Sequence, residues 1–218
     1  MKLLSKLTAF VLLTGITVST FAYFLADKRN ITKGCATHNS SNNPIDKTDA
    51  AFIRLKQKAL SIKDFAEENG YDNTRAFLID MRIQSGLKRF FVFNFQTDSI
   101  EAAGLVTHGS GCDNGTSSLC FSNKPNSNAT SLGRYRIGKS YYGKFGLAYK
   151  LYGLDATNNK AFERFVVLHS HACVPMEEIS PAPICESWGC PTVAPAFLNT
   201  LQKYIDHSAK PILLSIYY

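Results

Sequence analysis

The spacing of apolar residues changes at Gly70, and this change limits the folds open to the chain. From Asp49 to Asn69 apolar residues recur at three- and four-residue steps, as on one face of an amphipathic helix that Gly70 would end. Beyond Tyr71 they form short runs separated by Gly, Asn and Ser clusters, which is typical of β-strands. The pattern predicts one helix followed by a β-rich domain.

The short runs predict a mainly β domain with a helix at each end. The first two runs, residues 77–83 and 90–95, flank Ser85-Gly86 and predict a hairpin. Pro195 suits the first turn of a second helix, which would continue through Phe197, Leu198, Leu201 and Ile205. The predicted strands are residues 77–83, 90–95, 100–107, 134–137, 147–151, 165–168 and 212–217.

The N-terminus has the layout of an export segment. Lys2 and Lys6 precede an uncharged apolar stretch over 7–25, as in a secretory signal or an uncleaved signal anchor. Its length is close to the roughly 20 apolar residues that cross a bilayer, and residues 19–22 are a poor cleavage site. Cleavage and anchoring both stay open. We predict a signal peptide or anchor at 1–26, a polar linker at 27–47 and a folded domain at 48–218 that begins with the amphipathic helix; the motifs described below make this the catalytic domain.

An exported chain would act in the periplasm or cell envelope, and its charge bears on its partners there. The formal net charge of +7 favours anionic partners such as nucleic acid, acidic lipid or the bacterial wall. No arginine-rich run occurs and the lysines are scattered among acids, so we expect no nucleic-acid binding. Contact with a membrane is expected only through the possible N-terminal anchor.

The chain has six cysteines, which must be accounted for in an oxidising compartment. If Cys190 remains a thiol, an odd number is left, and they cannot all pair within the chain. The simplest pairs join Cys112 to Cys120 and Cys173 to Cys185, which leaves Cys35 unpaired.

A histidine and a cysteine stand where an acyl-transfer site could form. The apolar run 165–168 leads to His169, and Cys190 follows Gly189 in Ser187-Trp188-Gly189-Cys190-Pro191. A cysteine nucleophile needs a base that holds it as thiolate, and glycine lets backbone N–H groups approach the sulfur as oxyanion donors. The alternative is a structural cysteine and a hydrogen-bonded core histidine.

A zinc site is a second alternative for the same region. Imidazole and thiolate are ligands that zinc accepts. No Cys-x-x-Cys pair occurs, however, and the step from Cys173 to Cys185 is not that of a zinc ribbon, so we expect neither a metal nor a cofactor. The candidate ligands would be His169, His171, Cys173, Cys185 and Cys190.

Several segments in order resemble the L,D-transpeptidase family. The Ser-Trp-Gly-Cys-Pro motif, preceded by Val167-Leu168-His169-Ser170, is most similar to the murein branch of that family. The resemblance covers about residues 74–217, and it is the ordered set that makes it specific. The other similar segments are residues 107–111, 121–123, 131–135, 142–146 and 153–155.

The resemblance implies a fold and a reaction. The fold would be an L,D-transpeptidase-like β-sandwich or mixed sheet, with a helix before it and a short helix after the catalytic cysteine. The enzyme would attack a peptidoglycan tetrapeptide stem after the L-centre of its meso-diaminopimelate, release D-alanine and hold the acyl chain as a thioester. A second stem's amine would then form the cross-link. Such enzymes are carbapenem targets.

The resemblance also assigns roles to residues. Cys190 would be the nucleophile and His169 the base, although His171 lies two residues on and would share its face in an extended strand. The backbone of Trp188, Gly189 and Cys190 would form the oxyanion hole. Ser187 and Ser170 would orient the site, and His171, His108 and Tyr142 are candidates for the substrate cleft.

Three positions depart from the family pattern. Ser170 stands where Gly is usual and Glu186 where Arg is common, and Pro191-Thr192 replaces an Arg that often follows the cysteine. These positions touch substrate or orient loops, so donor specificity is in question. The alternatives within the family are an L,D-carboxypeptidase, in which water resolves the thioester, and a non-catalytic wall-binding homologue.

Overall fold

The computed structural model describes residues 50–111 and 119–218. The predicted signal peptide or anchor, the whole predicted linker, the first two residues of the predicted domain, Cys35 and Cys112 lie outside these residues. No helix in the described part of the chain is both long enough and apolar enough to cross a bilayer.

The described residues form two helices and one eight-stranded mixed sheet. The sheet order is β3-β2-β1-β8-β4-β5-β6-β7, with β1/β8 and β6/β7 parallel and the other pairs antiparallel. The elements in chain order are α1 (Ala50–Asn69), β1 (Arg75–Asp80), β2 (Phe90–Asn94), β3 (Ser99–Gly104), β4 (Gly133–Gly143), β5 (Gly146–Gly153), β6 (Val167–Ser170), β7 (Thr192–Val193), α2 (Pro195–His207) and β8 (Leu213–Tyr217).

A helix packs on each face of the sheet. The buried stripe of α1, which includes Leu55 and Ile62, packs on alternate residues of β1, β2 and β8 such as Leu78 and Leu213. We call this side of the sheet the outer face. On the inner face Phe197 and Leu201 of α2 join the larger apolar core. The prediction of a mainly β fold with a helix before the sheet and another after Cys190 is therefore confirmed.

Some predicted boundaries were wrong for reasons visible in the backbone. The strand predicted over 165–168 begins only at Val167, because Phe165 has a positive φ of 55° that no extended strand accommodates. β4 continues well past the predicted end at Ile137 to Gly143, where β4 and β5 form a hairpin. β7 has two residues and was not predicted, since so short a run carries no alternating pattern.

Candidate active site

β6 positions His169 between β5 and β7. His169 lies opposite Ala148 of β5 and Thr192 of β7, and its side chain is buried. Its Nδ1 is 3.1 Å from the carbonyl oxygen of Ser170, and its Nε2 is 3.0 Å from Oγ1 of Thr192. Because a carbonyl can only accept, Nδ1 donates to Ser170, and Nε2 of the neutral ring is free to accept the Thr192 hydroxyl proton.

The surroundings of His169 favour its neutral form. Burial lowers the pKa of His169 below its ordinary value of 6.5, and the nearby His171 lowers it further, whereas the bond to the Ser170 carbonyl opposes the shift. A neutral imidazole whose proton is fixed on Nδ1 presents Nε2 as the atom that could accept a proton.

Phe145 covers this imidazole from the end of the β4–β5 hairpin. Its ring stacks on that of His169, with centroids 5.1 Å apart and planes 25° from parallel. It also meets the edge of His171, with a centroid distance of 6.2 Å. One aromatic side chain thus contacts both histidines and contributes to the burial of His169.

Cys190 lies in a tight turn that Gly189 makes possible. Gly189 has a φ of 100°, and a Cβ built on it would lie 2.6 Å from the carbonyl oxygen of Ala129. Both the conformation and the contact exclude a side chain there. Cys190 is a free, half-buried cysteine.

Hydroxyl groups surround the backbone of this turn. The carbonyl oxygen of Cys190 is 2.7 Å from Oγ of Ser187, 3.2 Å from Oγ1 of Thr107 and 3.4 Å from Oγ1 of Thr192. Thr192 therefore contacts both the backbone of Cys190 and Nε2 of His169. This threonine connects the turn that carries the thiol to the imidazole.

The sulfur of Cys190 contacts the chain just before β6. Its Sγ is 3.8 Å from the carbonyl oxygen of Phe165. Within the described residues no hydrogen bond joins this sulfur to either His169 or His171. Burial raises the pKa of the Cys190 thiol, whereas the Val167 N–H and the positive charge of Arg164 lower it.

Arg164 lies behind the turn and was not predicted as a site residue. A Cβ on Gly189 would be 3.3 Å from its Nη2. The guanidinium has only neutral acceptors, and none of the described carboxylates forms an ion pair with it. These acceptors are the carbonyls of Ser122 and Ala129, at 2.8 and 2.6 Å, and Oγ of Ser131 and Ser127, at 3.1 and 3.3 Å.

His108 contacts two charged side chains and not the reacting groups. Its Nδ1 is 3.2 Å from Nη2 of the buried Arg89, and its Nε2 is 3.2 Å from Glu186. Burial lowers the pKa of His108, as does the Arg89 charge, and Glu186 opposes them. The backbone of His108 accepts the N–H of Ser187, so this segment supports the turn before Cys190.

Only some of the predicted oxyanion donors are free. The N–H of Gly189 donates to Oγ of Ser187 at 3.2 Å. The N–H groups of Trp188 and Cys190 have no acceptor among the residues that the structure describes. Any oxyanion bound at this turn would therefore meet the latter two groups first.

Three of the remaining predicted residues have exposed side chains. His171 is exposed and its Nδ1 accepts the N–H of Cys173 at 3.1 Å. Trp188 and Tyr142 are 78% and 84% exposed. These side chains are open to a ligand.

The cysteine pairing agrees with the prediction where it can be followed. Cys173 and Cys185 form the predicted disulfide, which removes two of the five candidate zinc ligands. Cys120 is also disulfide-bonded. Its predicted partner Cys112 lies outside the described residues.

Comparison with known proteins decides the family. A family model described as the L,D-transpeptidase catalytic domain matches residues 47–214.

The chain belongs to the L,D-transpeptidase catalytic domain family.

Solved structures of similar proteins were also found. An L,D-transpeptidase from Xylanimonas cellulosilytica is 14% identical, with 71% of this chain and 68% of that chain covered and a TM-score of 0.38. The helical cell shape determining protein Pgp2 from Campylobacter jejuni is 12% identical, with 71% and 54% covered and a TM-score of 0.41. Its K307A mutant matches equally, with 53% of that chain covered. The chain thus spans about half the length of the Campylobacter protein. No curated protein matches.

In this L,D-transpeptidase domain the fold brings the main candidates together around one turn. Ser187, Gly189 and Cys190 form the turn, and Thr192 links it to His169. Phe145, Thr192 and Arg164 were missed as site residues. An aromatic, basic or hydroxyl-bearing residue in a β-rich sequence gives no local sign of such a role, and only the approach of distant segments reveals it.

Proposed function

We propose that the protein is a peptidoglycan L,D-transpeptidase of the Ser-Trp-Gly-Cys-Pro murein branch, with Cys190 as nucleophile. The observation that carries the proposal is a free thiol on a glycine turn that Thr192 connects to a buried, neutral imidazole. A nucleophile, a base and unengaged backbone donors are the three parts that acyl transfer needs. Membership of the transpeptidase family supports the same assignment.

The first half-reaction transfers an acyl group to sulfur. Nε2 of His169 gives up its contact with the Thr192 hydroxyl and takes the proton of the Cys190 thiol. The resulting thiolate attacks the carbonyl that follows the L-centre of diaminopimelate. The N–H groups of Trp188 and Cys190 receive the developing oxyanion. When the C–N bond breaks, His169 returns the proton to the departing D-alanine amine, which leaves a thioester on Cys190.

The second half-reaction restores the enzyme. The side-chain amine of another stem gives a proton to His169 and attacks the thioester carbonyl. The C–S bond breaks, the sulfur takes the proton back, and a new amide cross-links two stems. Water in place of the amine would release a tripeptide, which is the carboxypeptidase reaction.

The products formed from a soluble substrate test the proposal. Incubation with disaccharide-tetrapeptide should give a cross-linked dimer and D-alanine, and Cys190→Ala should give neither. Tripeptide alone would indicate an L,D-carboxypeptidase. The absence of any product from a folded protein would favour the wall-binding alternative.

A carbapenem provides a second, chemical test of the nucleophile. The wild-type protein should gain the mass of one ring-opened carbapenem on Cys190, because the β-lactam carbonyl acylates the thiol. His169→Ala should react much more slowly and His171→Ala at nearly the normal rate. If His169→Ala reacted at the normal rate and His171→Ala were inactive, His171 and not His169 would be the base.

We further propose that residues 1–26 direct the protein out of the cytoplasm and that residues 27–47 link this segment to the domain. The basic, apolar and polar order of these residues supports the proposal. N-terminal sequencing of the mature protein from the cell envelope would distinguish a cleaved signal peptide from a retained anchor. Recovery of the protein in the cytoplasmic fraction would contradict export.

A further inference from the structure

The β4–β5 hairpin has an unbalanced charge. Residues 133–153 contain five basic residues and no acidic residue. Arg134 forms an ion pair with Asp155. Within the described part of the chain the other four basic side chains have no acidic partner. They are Arg136, Lys139, Lys144 and Lys150.

Aromatic rings hold two of these cations in place. Arg136 lies 4.0 Å above the ring of Tyr152, which stacks on Phe162 with centroids 5.2 Å apart and planes 12° from parallel. Lys150 lies 5.3 Å from the centroid of Phe162 and 5.8 Å from that of Tyr141. A ring face attracts a cation but carries no net charge, so these contacts orient the cations without neutralising them. We call these five side chains the cation–aromatic ladder.

Strand register places the ladder on the same face of the sheet as His169. Directly paired residues point to one side of a sheet, and residues two apart in a strand share that side. Lys150 is two residues from Ala148, the partner of His169, and two residues from Tyr152, the partner of Arg136. The ladder therefore follows the hairpin toward the end that holds Phe145 against His169.

No helix in the described chain packs over the ladder, in which Arg136 and Tyr152 are half-buried. Helix α1 packs on β1, β2 and β8, and it meets the start of the hairpin where the ring centroid of Phe65 lies 3.9 Å from Cζ of Arg134. Phe162 is 53% exposed, and Lys150 is exposed. Glu163 follows Phe162 in the chain but forms no ion pair with a ladder cation among the described residues.

We propose that the cation–aromatic ladder binds the carboxylate-bearing peptidoglycan that adjoins the stem in the active site. The inference rests on the proposed function, because a polymeric substrate continues beyond the scissile bond and its stems carry free carboxylates. Cations fixed on rings lose little conformational entropy when a carboxylate arrives, which makes them effective partners for a polyanion.

Binding to intact cell-wall sacculi tests the surface separately from catalysis. The full chain with Cys190→Ala, which cannot turn over, would be sedimented with purified sacculi at increasing salt. Adding Arg136→Gln and Lys150→Gln should weaken binding about tenfold at low salt and flatten its salt dependence, because two charge contacts are lost. Sacculi whose carboxyls have been amidated should bind the parent and this double variant almost equally.

A matched pair of substitutions controls for net charge. Lys58→Gln with Lys203→Gln also removes two charges from a total of +7, and Lys58 likewise lies over an aromatic ring, that of Tyr217, at 5.3 Å. This control should bind sacculi within about twofold of the parent. Equal losses in the two double variants, or no loss in either, would overturn the proposal.

Turnover of soluble substrate and binding to lipid vesicles separate this surface from the active site and from a membrane-binding site. With Cys190 intact, the ladder variant should convert soluble disaccharide-tetrapeptide at nearly the wild-type rate. If the protein were inactive on this substrate but its binding to sacculi still depended on the ladder, the proposed function would be wrong and the proposed binding surface would stand. If the ladder variant lost binding to anionic phospholipid vesicles but kept binding to sacculi, the partner would be a membrane and this inference would be wrong.

Discussion

Gly189 combines two constraints that are separable by mutation. Its φ of 100° disfavours a side chain, and the carbonyl of Ala129 fills the space that a Cβ would need. Gly70 has a φ of 74° with nothing within 4 Å of a built Cβ, so it meets only the first constraint. The two glycines thus distinguish backbone strain from displacement of the turn.

We expect Gly189→Ala to abolish transpeptidation and to lower the free energy of unfolding by about 2–4 kcal/mol, since strain and a steric clash both act. Gly70→Ala should lower it by about 1 kcal/mol and leave kcat unchanged. Urea unfolding and turnover of disaccharide-tetrapeptide would measure both. Equal effects of the two substitutions on activity would show that the turn beside Cys190 has no special sensitivity.

Arg164 is a half-buried guanidinium that pairs with none of the described carboxylates, and it lies close to the turn that carries the thiol. Its positive charge lowers the pKa of Cys190, and its four hydrogen bonds hold the segment from Ser122 to Ser131. It therefore has an electrostatic role and a structural role, and substitutions can divide them.

Arg164→Gln should raise the pKa of the Cys190 thiol, because a neutral side chain no longer favours the thiolate. The pH profile of alkylation by iodoacetamide would then move to higher pH. Arg164→Lys should keep the profile near that of the wild type, although both variants should lose about 1–3 kcal/mol of stability with the hydrogen bonds. If both variants were destabilised and neither profile moved, the role of Arg164 would be structural alone.

At the scale of elements, the β4–β5 hairpin brings Phe145 over a histidine of β6. Burial lowers the pKa of His169, and Phe145 supplies part of that burial by stacking on the ring. A protonated His169 cannot accept the thiol proton, so activity should fall on the acid side as pH drops through this lowered pKa.

Phe145→Ala should expose the imidazole and raise the pKa of His169 toward 6.5, which would move the acid limb of kcat/KM to higher pH. Tyr142→Ala, at an exposed position of the same hairpin, should leave that limb in place. The measurement is kcat/KM against pH for both variants. An unmoved limb in Phe145→Ala would show that the stack does not contribute to the pKa.

The same shift affects stability. Because the pKa of His169 is lower in the folded chain, the unfolded chain binds more protons between the two values. Folding stability should therefore decrease as pH falls from the ordinary 6.5 to the lowered pKa, with no further loss from this group below it. Phe145→Ala should reduce this part of the pH dependence.

At the scale of the whole molecule, the disulfide closes the loop that leads into the active-site turn. Cys173 and Cys185 are 12 residues apart and lie between His171 and Ser187. Such a bridge stabilises mainly by limiting the unfolded chain. The Cys173→Ser and Cys185→Ser double variant should lose about 2–3 kcal/mol in urea unfolding.

The turn from Ser187 to Cys190 has its own hydroxyl contacts, so the double variant should retain most of its turnover at a temperature where it stays folded. Turnover of soluble substrate under oxidising conditions would measure this. A variant that lost activity but not stability would show instead that the loop positions the thiol.

Local patterns were sufficient for the elements whose signals lie within a few residues. These signals are the apolar spacing of α1, the glycine that ends it at Gly70 and the proline that begins α2 at Pro195. Each depends only on neighbouring residues, and each prediction was confirmed. The order of motifs around His169 and Cys190 was enough to indicate the family, which the match over residues 47–214 confirms. The roles of those two residues remain predictions.

Sequence determined the helices, most strands, the family and the two central candidates, because these depend on periodicity, turn residues and motif order. Tertiary structure alone decided that β8, the last strand in the chain, lies between β1 and β4. It also decided that Phe145, Arg164 and Thr192 meet at one site, and that Arg136 and Lys150 share a face with His169. These contacts join segments far apart in the chain, and their free energy comes from packing and pairing that no local pattern records.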